Sequence, residues 1–161
     1  MSGLGRPEPR LHVALLHPEI GPNAGNAGRL CLGVGARLHL VHPLGFRTDE
    51  KAVRRAGLDY WKHVDVVEHA SADAFFEWAG QRPLRLFSSH GERAYTHCPF
   101  ERGDVLLFGR ESRGLPRDLI AAHGAWRIPL EPGVRSLNLS NAVAVAAYAA
   151  LSRIEPSLFG T

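Results

Sequence analysis

Four polar side chains, Ser136, Asn138, Ser140 and Asn141, fall within the six positions from Ser136 to Asn141, and the apolar run Ala142 to Leu151 follows directly. The run reads as a buried helix and the polar stretch as its entrance. Hydroxyl and carboxamide groups in such a place need partners, because an unpaired buried polar group costs about 1–3 kcal/mol. One of them can cap the helix, but one cap accounts for one residue of the four. The stretch therefore reads as a ligand site.

Two further loops carry unusual chemistry. Pro18-Glu19-Ile20-Gly21-Pro22-Asn23-Ala24-Gly25-Asn26-Ala27-Gly28-Arg29 follows an apolar strand and opens a helix. Asn23, Asn26 and Arg29 recur every three residues, which suggests one shared face. A helix start with small residues and an Arg suits an anion; a capped helix with a solvent-facing Arg is the plainer alternative. Gly109-Arg110-Glu111-Ser112-Arg113-Gly114 also follows an apolar strand, with two glycines bracketing a carboxylate. Glycine permits close approach of a ligand to the backbone. Pro129, Pro132 and Gly133 shape a third loop, residues 128–135, that leads into the Ser136 stretch. The dinucleotide fingerprint GxGxxG, the phosphate-loop Lys and the nucleophile elbow GxSxG are all missing from these loops.

The elements that must position them alternate along the chain. Strands are expected at residues 11–17, 37–41, 64–68, 84–88, 104–108 and 126–129, and helices at 23–34, 49–56, 72–79, 116–122 and 138–154. Asn23 is expected to cap the first helix and Ser71 the third, with Gly35 and Gly80 as stops. Several strands are apolar on both faces, as in a parallel sheet covered on both sides. The class is α/β, a mostly parallel sheet with helices on both faces, in a single domain over residues 11–161 after a flexible tail at 1–10. Ligands of such sheets bind beyond the carboxyl ends of the strands, where these loops lie.

Composition narrows the partners. Of 161 residues, 45% are hydrophobic and 22% charged, ordinary for a globular domain. The net charge of +3 is a mild basic bias, compatible with a polyanion. Cys31 and Cys98 form no CxxC, which fits a reducing cytoplasm and argues against a disulfide framework. No apolar run reaches membrane-spanning length. The histidines, including His39 and His42, read as surface or edge residues, and no metal site is proposed.

The three loops, in this order and at strand ends, resemble the three motifs of the ribose 2'-O branch of the SPOUT methyltransferase superfamily, and within it the minimal single-domain group that acts on cytidine or uridine 34 of tRNA. Supporting stretches are Pro18 to Asn23, Arg54-Arg55-Ala56-Gly57-Leu58-Asp59-Tyr60 and Arg127-Ile128-Pro129. The likeness covers about residues 11–154. It implies a C-terminal trefoil knot, S-adenosyl-L-methionine as cofactor and S-adenosylhomocysteine as product. It also implies a cytoplasmic homodimer with a shared active site and the tRNA anticodon stem-loop as partner, without membrane or DNA. Carried over by motif, Arg29 is the central catalytic residue and Asn23 orients it or the ribose. Glu111, Ser136 and Asn138 line the reacting centre. Cofactor contacts fall to Ser89, Gly109, Ile128 and Ser136. Arg54 and Arg55 are candidates to grip RNA. Residues 88–93 depart from the family's Thr-Lys-Gly pattern, and Arg110 stands where relatives often have Pro. The alternatives are a ribose methyltransferase for another tRNA or rRNA position and a non-catalytic adenosyl-binding module.

Overall fold

The computed structural model describes residues 6–49, 51 and 59–160. Seven strands, β1 (Leu11–Leu16), β2 (Ala36–Val41), β3 (Val66–His69), β4 (Leu84–Phe87), β5 (Arg93–Ala94), β6 (Val105–Phe108) and β7 (Trp126–Arg127), form one sheet in the order β3-β2-β1-β6-β4-β7-β5. Every pairing is parallel. Among the described residues four helices with full bounds accompany them: α1 (Gly21–Val34), α2 (Ala72–Ala79), α3 (Arg117–His123) and α4 (Leu139–Ile154).

The two-sided burial expected from the apolar strands is realised in β1. Leu11, Val13 and Leu15 pack with α1 and α4, while Ala14 and Leu16 pack with Phe75 of α2 and, near the sheet's other flank, Leu119 and Ile120 of α3. Period-two alternation with both faces apolar is what a covered parallel strand requires. On the α2 face, His12, His39 and His69 run diagonally across β1, β2 and β3. Their facing ring nitrogens are 2.9 Å apart at each step, with Trp78 packed on all three rings. His39 is fully buried rather than at an edge, whereas the half-exposed His42 meets Glu68.

Element boundaries agree with expectation where local chemistry sets them. Ser71 accepts from the Ala74 N–H and caps α2, and Gly35 ends α1 in the left-handed region. Two boundaries differ. The third strand starts at Val66 because a 3-10 turn over Asp59–His63 occupies the chain before it. Asn23 does not cap α1: the cap position is Ile20, which has no side-chain capping bond, and Asn23 lies inside the first turn. From residue 52 to 58, which includes Arg54, Arg55 and most of the helix expected at 49–56, the chain lies outside the described residues.

Strand order is what concentrates the loops. β1, β6, β4 and β7 are consecutive in the sheet. In a parallel sheet their carboxyl ends share one edge, so the segments after Leu16, Phe108, Phe87 and Arg127 emerge side by side.

Candidate functional site

A cleft of about 1360 Å³ opens at that edge. Its lining includes Asn23, Ser89, Gly109, Glu111, Ile128, Ser136 and Asn138, from every loop singled out in the sequence. Arg29 is not among the lining residues.

Glu111 is the hub. One carboxylate oxygen accepts from the Glu19 N–H at 2.8 Å; the other accepts from the Ile20 N–H at 2.9 Å and from Asn23 Nδ2 at 3.1 Å. The N–H groups at the mouth of α1, left without a local capping side chain, are thus satisfied from a loop about ninety residues away. A carboxylate there also complements the positive end of the helix dipole. Glu19 returns the contact: its carboxylate accepts from the Ser112 N–H at 2.8 Å and the Ser112 hydroxyl at 2.7 Å. The Ser112 hydroxyl, then the Ser112 N–H, and beyond them Arg110 and Arg113, hold the Glu19 carboxyl below its ordinary pKa. The first and second loops are therefore clasped by two carboxylates in opposite directions.

The third loop joins through Asn23. An ionised carboxylate is acceptor-only, so Asn23 must turn its NH2 toward Glu111. Its carbonyl oxygen then faces Asn138 and accepts from Asn138 Nδ2 at 3.0 Å. That in turn points the Asn138 carbonyl at α4, where it accepts from the Ser140 N–H at 2.9 Å, the Asn141 N–H at 3.3 Å and the Ser140 hydroxyl at 2.6 Å. The single charge on Glu111 thereby sets the orientation of two carboxamides in series and ends at the N-terminus of α4. Asn138 is both the cap of α4 and the link to the other loops, which accounts for part of the polar density of the 136–141 stretch. Ser136 stays exposed at the cleft.

Gly109 makes the turn after β6 possible. A Cβ there would lie 2.1 Å from the Gly114 carbonyl carbon and 2.2 Å from the Leu115 nitrogen. The Gly114 N–H closes the turn by donating to the Arg110 carbonyl at 2.7 Å, with Gly114 at φ 68°. No side chain fits at position 109, so backbone lines the cleft there.

Asn23 and Arg29 do not share a face. Six residues along an α-helix turn through about 600°, which leaves the two roughly 120° apart. Asn23 is buried toward Glu111, while Arg29 is exposed with its guanidinium 5.6 Å from the centre of the Tyr60 ring. The Tyr60 hydroxyl donates to the Gly25 carbonyl at 3.0 Å, and burial raises its pKa, with Arg29 pulling the other way. Glu19 was not singled out from sequence, and Ser112 only as a nucleophile candidate dismissed for want of GxSxG. The sequence carried no signal for them: it offered Asn23 as the cap of α1, and only the structure places Ile20, which cannot cap, at that position.

Comparison with known proteins places this arrangement. The model of the SpoU rRNA Methylase family matches residues 10–148. A protein of Escherichia coli strain K12 named tRNA (cytidine(34)-2'-O)-methyltransferase is 46% identical over 145 residues, 87% of this chain and 91% of its own. A solved structure described as giving insight into 2-OH methylation of C/U34 on tRNA is 45% identical, with a TM-score of 0.84, over 93% of this chain and 94% of that one. The AdoMet complex of the SpoU methyltransferase AviRb from Streptomyces viridochromogenes shares the fold at 24% identity, with a TM-score of 0.75, over 93% of this chain and 60% of that one.

Proposed function

The chain belongs to the SpoU methylase family, and on that premise we propose that it transfers a methyl group from S-adenosylmethionine to the ribose 2'-OH of nucleotide 34, cytidine or uridine, in the anticodon loop of tRNA. The observation that carries this reading is the Glu111–Asn23–Asn138 bridge, which ties the three motif loops together at the mouth of one cleft. Identity of 46% to the E. coli tRNA enzyme supports the choice of substrate.

The cleft fits the cofactor. Its volume of about 1360 Å³ exceeds what one drug-sized ligand needs and leaves room for a nucleotide beside it. Leu130, Leu137, Leu139 and Ala142 offer apolar wall for an adenine, and Ser89, Ser136 and the bare backbone at Gly109 offer polar contacts. When bound, the cofactor supplies an electrophilic methyl group on a sulfonium. The chain's part is to hold the ribose hydroxyl in line and ease loss of its proton. Glu111, with three N–H donors on its two oxygens, acts as an anchor that positions Asn23 and the start of α1 rather than as a free base.

A guanidinium has hydrogen-bond donors and no acceptor, so Arg29 is no base. It suits holding a phosphate next to the reacting ribose and stabilising negative charge on the oxygen as it attacks. Since Arg29 is exposed and off the cleft of its own chain, it serves the cleft of a second copy in a homodimer. Leu32 of α1 and Tyr148 of α4, large and exposed on two helices packed together, suit that contact. The enzyme would act in the cytoplasm, where its substrate is found; among the described residues no helix is long and apolar enough to cross a membrane.

Methyl transfer from labelled S-adenosylmethionine into tRNA, with the modified nucleotide mapped, tests the reaction. A 2'-O-methyl at position 34, absent with Arg29→Ala, is expected; methylation elsewhere overturns the substrate. Mixing Arg29→Ala with Glu111→Ala subunits tests the shared site. Random pairing should restore about a quarter of wild-type activity, because half the dimers carry one intact composite site. No recovery on mixing would place Arg29 in its own chain's reaction.

A further inference from the structure

The arginines differ in whether another group holds them. Around the amino ends of the strands they are paired: Arg6 and Arg37 with Asp65, Arg85 with Asp104, Arg10 and Arg102 with Glu155, and Arg82 with Glu8. At the opposite edge, beside the cleft, Arg113 and Arg117 make no hydrogen bond or ion pair among the described residues. These two, with His90, line a smaller pocket of about 390 Å³ whose floor is Leu115 and Ile120. His90, Arg113 and Leu115 also line the large cleft, so the two spaces are contiguous.

We propose that this pocket seats an RNA nucleotide flanking the methylated one, with its phosphate on Arg113 and Arg117 and its sugar and base edge over Leu115 and Ile120. The proposal rests on the methyltransferase reading above. Two unpaired guanidinium groups next to an apolar floor call for an anion with an apolar companion, and planar forks match phosphate oxygens. The nearby carboxylates do not supply it: Glu19 accepts from Ser112 and meets Arg113 only through a longer-range charge attraction, forming no ion pair with it, and Asp118 forms no ion pair with Arg117. Contiguity with the cleft favours a polymer continuing out of it over a free small anion. A pocket of this size holds one nucleotide, in keeping with recognition of RNA through splayed single-stranded residues.

Arg117 is exposed and touches only the smaller pocket, so it is the residue to change. The experiment measures methyl-transfer kinetics on an anticodon stem-loop RNA, RNA binding by fluorescence anisotropy, and cofactor Kd by calorimetry. It compares wild type with Arg117→Glu, Arg117→Ala and Arg117→Lys. Arg117→Glu should raise KM and Kd for RNA at least tenfold at low salt, with kcat and cofactor Kd unchanged, and Arg117→Lys should recover most of the loss. For Arg117→Ala the slope of log Kd against log salt should shrink by about 0.7, the value for one phosphate on a single strand. Unchanged RNA affinity and salt slope would overturn the proposal. So would a rise in cofactor Kd instead, which would assign the pocket to the cofactor. If wild type binds cofactor but methylates no RNA, the parent reading fails, and the anisotropy comparison still decides whether RNA uses this pocket.

Discussion

Asn23→Asp replaces one NH2 with an oxygen and changes a single contact. In the wild type Asn23 Nδ2 donates to Glu111 at 3.1 Å, and the Asn23 carbonyl accepts from Asn138. The aspartate keeps the second bond and turns the first into two carboxylate oxygens at the same spacing. At 3.1 Å two unit charges repel by about 5 kcal/mol at an effective dielectric of about 20, and by about 1 kcal/mol in bulk water. Asn23 is 7% exposed and Glu111 half-buried, so the repulsion falls between these limits. A loss of about 2–4 kcal/mol in unfolding free energy is expected at pH 8. The pair can escape by sharing a proton, which rebuilds a hydrogen bond across the gap. A carboxyl whose folded-state pKa is raised contributes its stability at low pH and loses it as pH rises through that value. The variant should therefore approach wild-type stability near pH 5 and fall progressively below it toward pH 8. Asn23→Ala, which cannot share a proton, should be destabilised by a nearly constant amount. Urea unfolding of the three proteins at several pH values reads both effects. Identical pH dependence of Asn23→Asp and Asn23→Ala would refute the orientation argument built on Glu111.

Other consequences follow from the same physical terms. Gly109→Ala forces a Cβ onto backbone at 2.1 Å, so the turn must open; a loss of roughly 2–3 kcal/mol and weaker cofactor binding by calorimetry are expected. Gly33→Ala, on α1 with open space around its Cβ, should instead raise stability by about 0.5–1 kcal/mol, seen as a higher Tm. Burial, foremost, lowers the pKa of His12 to about 4 and those of His39 and His69 below the ordinary value. With depressed folded-state values the unfolded chain binds more protons. Stability is then complete above about pH 6.5 and declines as pH falls toward 4, a slope that denaturant titrations of His39→Leu should find shallower. Asp65→Ala leaves Arg37, 1% exposed, without its carboxylate partner at 2.8 Å. A cost of about 3–5 kcal/mol is expected from thermal unfolding.

Much of the fold could be read from the sequence because its signals are local. Strands apolar on both faces, a Ser with its cap partner three residues on, and glycine stops at 35 and 80 depend only on neighbours along the chain, and they located the elements to within a residue or two. The loop chemistry was equally local: Glu111 between glycines and the polar entrance to α4 marked loops that line the cleft, through residue type and order alone. The two-residue strand β5 carries too few residues for any periodic pattern and was not legible.

Tertiary structure decided what depends on strand order. Insertion of β6 between β1 and β4 places Glu111 over the start of α1. The cap that Asn23 was expected to provide is therefore supplied from a distant loop, freeing Asn23 to bridge Glu111 and Asn138. Parallel register decided that His12, His39 and His69, far apart in sequence, lie on one diagonal under Trp78. Helical rotation between Asn23 and Arg29 decided that the chain's most telling arginine points away from its own cleft. Residue types alone specified which groups could do chemistry. Which of them face one another was set by long-range strand pairing, because a hydrogen bond between loops some ninety residues apart leaves no periodic trace in either loop.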